Sequence, residues 1–387
     1  MSGRVACLVS GRVLVVHGEG EPLELESPYA EQIGARERAI ERRNAWKTQG
    51  TGATFMGRGS GPLWGEPERD LPPARIVGLS RGRTADELCY SVTSGVVSGL
   101  FAQEPGTRNE HRLHHNADAA VTEIELSVEH ETVACTVHGK GGTSAIAILA
   151  DDGRGVRTVT EGDVVDRAPR WVPGPGKQLV YASAGIGRTR SGTFAGLGPF
   201  AIHRLNLDDG SIEVLMADAK YDYLAPVPTS ESEIYAIRRP YRDPRPRVSP
   251  FGVLLDTLLI PFRLLFALFQ YLSFFAARYT GKPLITSGNA QQKAADAERM
   301  MVWGNLIDVA ADADKAADAD AQLGKGYELV RITPKKTEVV TRGVIAFDVR
   351  GDELAYSDGN AVYRMPTSGG SAQKLAAVKW AEGVVIC

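Results

Sequence analysis

Few residue clusters in this chain invite a chemical reading. His111-Arg112-Leu113-His114-His115 sets three imidazoles side by side, the side chains that ligate zinc most readily. On a strand, however, side chains alternate, so His114 faces away from His111 and His115, and the reading expects no metal there. Gly139-Lys140-Gly141-Gly142-Thr143-Ser144 carries the residue types of a phosphate loop. The Gly-x-x-x-x-Gly-Lys-Ser/Thr spacing is absent, and a hairpin turn is expected instead. The aspartate-rich run 308–320 lacks the Asp-x-Asp-x-Asp-Gly order and terminal Glu of a calcium loop, and reads as a solvated loop between two strands. No Gly-x-Ser-x-Gly nucleophile elbow occurs. No cofactor and no resident metal are expected.

The elements that must carry these residues are short. The 42 glycines and 21 prolines of the 387 residues fall between brief apolar runs, a rhythm suited to many tight turns and an all-β body. A net charge of −3 gives no overall field to draw in a polyanion, so no nucleic-acid partner is expected. Cys7, Cys89, Cys135 and Cys387 have no paired metal spacing, and three of them sit in strand-like apolar runs, as buried thiols of a reducing compartment do. Arg12 interrupts what would be the apolar core of a signal peptide, which predicts a cytoplasmic protein.

Self-similarity is the strongest signal. Glu87-Leu88-Cys89-Tyr90-Ser91 returns as Glu353-Leu354-Ala355-Tyr356-Ser357, with looser copies at Gln178-Leu179-Val180-Tyr181, Glu131-Thr132-Val133-Ala134 and Glu233-Ile234-Tyr235-Ala236. A spacing of roughly 45–55 residues is that of four-stranded propeller blades. The segment Pro169-Arg170-Trp171-Val172-Pro173-Gly174-Pro175-Gly176-Lys177-Gln178-Leu179-Val180-Tyr181 resembles the Pro-x-Trp-Ser-Pro-Asp-Gly repeat of TolB-like, WD40-related propellers, with one residue too many and no Asp before Gly176. More loosely, the layout is similar to propellers of bacterial conflict systems that contain MoxR-type ATPases and von Willebrand A-type proteins. The abundance of Ala, Gly and Arg fits a bacterial source.

The expectation is therefore a single all-β domain, a six-bladed β-propeller over residues 1–387. Five blades are read at 74–118, 119–166, 167–222, 223–343 and 344–380, and a sixth is made by the last strand pairing with three strands at the N-terminus, which removes open sheet edges. Two insertions decorate it: 28–73, with a charged helix at 31–47, and 240–299, placed between a second strand at 233–239 and a third at 300–309. Strand order predicts that both, with the Gly/Arg-rich loop 185–199, lie on one face. Asp163, Asp166, Asp348 and Asp352 fall near inner-strand starts, where a lyase- or lactonase-like propeller enzyme would hold a metal at its channel.

Within the second insertion, residues 250–277 read PFGVLLDTLLIPFRLLFALFQYLSFFAA, long enough as a helix to match a bilayer core of about 30 Å. Both ends return to one blade, so the expected forms are a surface-lying helix, a hairpin broken near Pro261, or burial in protein. Asp256, Arg263 and Gln270, seven apart, make one thin polar stripe on an apolar rod. The predicted binding residues are Leu258, Phe262, Arg263, Leu265, Phe266, Phe269, Gln270, Phe274 and Phe275, flanked by Arg245, Arg247 and Arg278, with Arg238 and Arg239 further cations for anionic headgroups. The expected function is a non-catalytic interaction scaffold that presents this insertion to a membrane surface or a protein assembly.

Overall fold

The computed structural model describes residues 3–18, 20–48, 74–94, 97–116, 120–242, 299–302, 305–308 and 326–387. The chain divides into two compact units, Met1–Arg242 with Asp320–Cys387, and Asp243–Ala319.

The first unit is built from antiparallel meanders. Strands β1 (Val5–Val9), β2 (Arg12–Val16) and β3 (Leu23–Leu25) come first. Ser10 and Gly11 join β1 to β2 with φ of 49° and 80°, the pair of positive values that a tight type I′ hairpin needs. After helix α1 (Pro28–Thr48) follow β4 (Arg75–Arg81), β5 (Leu88–Ser94), β6 (Val97–Gln103) and β7 (His111–Asn116). The next group is β8 (Val121–Ser127), β9 (Thr132–His138), β10 (Ser144–Ala150) and β11 (Arg157–Thr158). Then come β12 (Val164–Trp171), β13 (Gln178–Arg188), β14 (Phe194–Leu197), β15 (Ala201–Asn206) and β16 (Ile212–Met216), where β14 is a hairpin arm on β13. A fourth group holds β17 (Tyr221–Ser230) and β18 (Glu233–Pro240); β19 (Arg299–Val302) and β20 (Asn305–Asp308) pair only with each other, in the second unit. The group resumes with β21 (Glu328–Ile332) and β22 (Thr337–Arg342), and β23 (Ala346–Arg350), β24 (Glu353–Ser357), β25 (Val362–Pro366) and β26 (Gln373–Ala376) form the fifth. Last, β27 (Ala381–Ile386) pairs antiparallel with β1, Val5 opposite Ile386.

One parallel bridge, Ser144 to Val165, ties the β8–β11 and β12–β16 groups into a nine-stranded sheet. Divided at that bridge, the described strands other than β14 and the β19–β20 pair fall into six four-stranded meanders. Their first strands touch in cyclic order, β4 to β8 to β12 to β17 to β23 to β27 and back to β4, so the sheets close a ring around an axis. This is a β-propeller. Its apolar clusters lie mostly between blades: Leu8, Val15, Leu79 and Phe101 join the closing blade to the first, and Val172, Ile202, Tyr223 and Val330 join the third to the fourth.

Two expectations are corrected. The third strand of the fourth blade is β21, not 300–309, so the connection within that blade runs from 241 to 327. Glu328-Leu329-Val330-Arg331-Ile332 is followed by a four-residue turn, closed by Thr333 N donating to Lys336 O, into β22; the third strand goes where a short hairpin to the fourth is available. The aspartate-rich run therefore belongs to that long connection and not to the loop between third and fourth strands, and residues 309–320 lie outside the described residues.

The second correction concerns the start of α1, expected on the same face as the loop 185–199. Ser27 caps it, accepting from Ala30 N at 3.2 Å, and donates to Glu110 Oε1 at 2.6 Å; Glu110 also accepts from Tyr29 N at 2.9 Å. Arg108 bridges Glu26 and Glu31 at 2.5 Å each, and the Tyr29 ring lies 4.7 Å from Phe101. Glu110 and Arg108 belong to the β6–β7 connection, on the opposite side of the blades from the loop 185–199. β3 ends at Leu25, opposite Val13 of β2, and the residues that follow it, Glu26 and Ser27, bond to Gln103, Arg108 and Glu110 of the first blade, which sets the start of the helix beside that connection.

Candidate functional site

The inner strands bring four charges together. Arg170 on β12 donates to Glu125 Oε2 on β8 at 2.6 Å, and Arg81 on β4 lies 3.6 Å from Glu125 Oε1. Both arginines reach Asp348 on β23, at 4.0 Å for Arg81 and 3.9 Å for Arg170. Asp348 is fully buried; its Oδ2 accepts from Ile386 N of β27 at 2.9 Å, while Oδ1 has no hydrogen-bond partner. Glu125 is fixed further by Ser80 Oγ at 3.4 Å. Five of the six inner strands thus meet in one network of two cations and two carboxylates.

A repeated backbone feature aims these side chains. In β8, β12 and β17 two residues oppose one on the neighbouring strand: Glu123 and Ile124 face Cys135, Ala168 and Pro169 face Tyr181, Ala225 and Pro226 face Ala236. The first of each pair, Glu123, Ala168 and Ala225, has φ of 47–52°. Such bulges re-aim the residue that follows, which here is Glu125, Arg170 or Val227. Glu123 itself is half-buried against Arg167 Nη2 at 2.5 Å, Ala168 N at 3.0 Å and Thr136 Oγ1 at 2.9 Å. Burial pushes its pKa up, but Arg167 and the hydrogen bonds outweigh that and hold the carboxyl below the usual range.

On the side where second strands pass to third strands, three successive connections are laced together. Arg188 of the β13–β14 hairpin grips Asp163 through Nε at 2.6 Å and Nη2 at 2.5 Å, and Nη2 reaches Gly141 O of the β9–β10 turn at 3.4 Å. Tyr241, at the start of the long connection, donates its hydroxyl to Leu197 O at 2.6 Å and its amide to Lys220 O at 2.8 Å.

The stem of that connection is braced on both sides. Arg239 donates to Asp222 Oδ2 at 2.8 Å and to Tyr327 Oη at 3.1 Å, and Asp222 Oδ1 accepts from Phe200 N at 2.9 Å. Arg238 meets Glu328 at 2.5 Å and stacks 4.9 Å from the Tyr221 ring centre; Arg342 adds a second contact to Glu328 at 3.3 Å. Arg238 and Arg239 are therefore not the free headgroup-seeking cations expected of them. Adjacent carboxylates on β17 and β21 engage both.

Leu258, Phe262, Arg263, Leu265, Phe266, Phe269, Gln270, Phe274, Phe275, Arg245, Arg247 and Arg278 all lie outside the described residues. Of the four aspartates read as channel candidates, only Asp348 reaches the axis. Asp163 serves Arg188, Asp166 is buried within the third blade, and Asp352 sits in the β23–β24 turn, where its carbonyl accepts from Thr367 N. His111 and Arg83 share a crevice of about 260 Å³ between the first two blades, and His114 Nδ1 lies 2.7 Å from Gly153 O. Among the described residues no group of His, Cys, Asp and Glu side chains is placed to hold a metal. The Gly139–Ser144 segment is the β9–β10 hairpin turn.

Glu125, Arg170 and Arg81 were missed by sequence reasoning, yet for Glu125 and Arg170 a signal existed. Ser80, Glu125, Arg170, Val227 and Asp348 each pair with the third residue of the repeated second-strand run. In the second blade that run is Thr132-Val133-Ala134-Cys135, one residue later than the sequence match places it, which moves the axial position from Leu126 to Glu125.

No protein-family model matches the chain, and no curated protein matches it. Solved structures do. TolB from Acinetobacter baumannii is similar over 99% of this chain and 66% of its own, at 12% identity and a TM-score of 0.50. A chain of the nidogen/laminin complex is similar over 100% of this chain and 98% of its own, at 10% identity and a TM-score of 0.50. At such identities the likeness is one of fold.

Proposed function

We propose that this TolB-like β-propeller is a non-catalytic interaction scaffold whose 241–327 connection presents the 240–299 insertion, from a braced stem, to a membrane surface or a protein assembly. The observation that carries the reading is the stem. Arg238 pairs directly with Glu328 across β18 and β21, so the insertion leaves and re-enters between two hydrogen-bonded strands, and the buried Arg239–Asp222 pair with Tyr241 fixes that exit to the neighbouring blade. A segment that returns to its own strand pair crosses a bilayer an even number of times or not at all. The sequence 258–277 holds a dozen Leu, Ile and Phe, each favourable in a bilayer by about 0.3–0.6 kcal/mol, against roughly 2.5–3.5 kcal/mol for a central Arg263, a balance that suits interfacial attachment.

The axial network supports binding over channel chemistry. Each carboxylate there already faces arginine, so the quartet offers no net negative charge to a divalent cation.

The test is co-sedimentation with phosphatidylserine-containing vesicles, comparing the full chain with one in which 248–283 is replaced by a short Gly/Ser linker. Loss of pelleting on replacement supports membrane attachment through the insertion. Equal behaviour of the two proteins overturns it, and pull-downs with the same pair then test the protein-partner arm.

A further inference from the structure

The β13–β14 hairpin stands out of the body: every residue from 187 to 195 is exposed. Its end carries Arg190 and Phe194, the latter 52% exposed, an unusual position for an aromatic side chain on a strand pair. The hairpin is nevertheless held in shape. The Thr189 amide donates across the loop to Thr193 O at 2.9 Å, and the hydroxyls of Thr189, Ser191 and Thr193 form a chain at 2.8 and 3.2 Å. At its base Arg188 is spent on Asp163 and on Gly141 O, which draws the β9–β10 turn, and with it exposed Lys140, alongside. Arg190 and Lys140 have no ion pair among the described residues.

We propose that this hairpin is a membrane wedge: Phe194 enters the interfacial layer of an anionic bilayer while Arg190 and Lys140 meet its headgroups. Charge and shape both argue for lipid. The two cations ask for an anionic surface, and each basic residue near such a surface contributes attraction that falls off within a Debye length. A protruding aromatic with exposed neighbours on both sides suits a fluid surface that closes around it, whereas a protein partner is recognised through fitted, desolvated pockets. The hairpin also adjoins the stem, since Leu197 O at its end takes the Tyr241 hydroxyl. The wedge rests on the membrane arm of the proposed function and adds a second contact independent of residues 248–283.

The experiment uses the full chain with vesicles of phosphatidylcholine alone and of phosphatidylcholine with phosphatidylserine. Phe194→Ser and the pair Lys140→Glu with Arg190→Glu alter only exposed side chains, so unchanged unfolding midpoints are expected. Phe194→Ser should weaken binding to the anionic vesicles roughly tenfold. The charge-reversed pair should weaken it by at least about twentyfold, with the difference shrinking in high salt. Wild-type binding that neither variant alters overturns the wedge and leaves attachment through the insertion standing. Wild type that ignores vesicles but is retained by immobilised polyglutamate through Arg190 overturns both, and makes the hairpin a site for acidic protein.

Discussion

At the scale of single residues, two carboxylates, half-buried Glu123 and buried Asp166, make opposite demands on pH. Glu123 has a folded-state pKa below its ordinary 4.5, because Arg167 and three hydrogen bonds outweigh its burial, so its contribution to stability is complete above that pH and is lost as pH falls through the lowered value. Asp166 goes the other way. Burial raises its pKa despite hydrogen bonds from Ser183 and Thr160, and its Oδ1 has no partner, so its charged form weakens the fold above the raised value and the penalty disappears on acidification. Asp166→Asn should therefore be more stable than wild type at neutral pH, with the gap closing in acid. Glu123→Gln should be less stable at neutral pH and flatter below pH 4.5. Urea unfolding across pH reads both; parallel curves for wild type and Asp166→Asn would contradict the assignment. The Arg239–Asp222 pair, with side chains 9% and 5% exposed, has a different signature. Asp222→Ala takes the carboxylate from a buried guanidinium and should cost about 3–5 kcal/mol, whereas Asp222→Leu with Arg239→Met should recover much of that.

At the scale of elements, the bulges and the turns between blades decide what the sequence discloses. The recurring Leu/Val-Tyr runs, the Gly-marked hairpins and the pairing of chain ends were legible because each has a local cause: alternation, positive φ, or an edge that needs covering. The axial charges were not, since Glu125 and Arg170 reach the axis only through a one-residue bulge that pattern reading passes over, and the match in the second blade slips by one. The third strand of the fourth blade was displaced because 300–309 looks as strand-like as 328–332, and only the short turn at Thr333 to Lys336 distinguishes them. The same local causes yield two expectations. Ala225 holds a left-handed φ at no visible gain, so Ala225→Gly should be neutral or stabilising by up to about 1 kcal/mol, while Ala225→Val should destabilise by about 1–2 kcal/mol. Gly153, at φ +86°, brings the β10–β11 turn so close to β7 that an added Cβ would lie 1.8 Å from Leu113 O. Gly153→Ala must push two blades apart and should cost about 2–4 kcal/mol, measured as a lower urea midpoint at unchanged slope.

At the scale of the whole molecule, the ring is held shut by a six-residue strand. β27 supplies the inner strand of the closing blade, pairs with β1, and gives its Ile386 amide to Asp348, so the network at the axis is also part of the clasp. Without β27, β1 would have an open edge, Asp348 would lose the donor on Oδ2, and Val384, Val385 and Ile386, each 2% exposed in the intact ring, would leave gaps in the two clusters that flank the closing blade. A chain ending at Lys379 should then fail to unfold cooperatively and should self-associate through the bared edge. Because the missing piece is a strand with backbone partners already in place, a synthetic peptide of residues 380–387 should restore a cooperative transition in trans, with a midpoint that rises with peptide concentration. The same peptide with Gly383→Pro cannot keep the donor at that position and should restore less. A truncated chain that unfolds as sharply as the full one would mean that the ring is held by inter-blade packing alone and that the clasp contributes little.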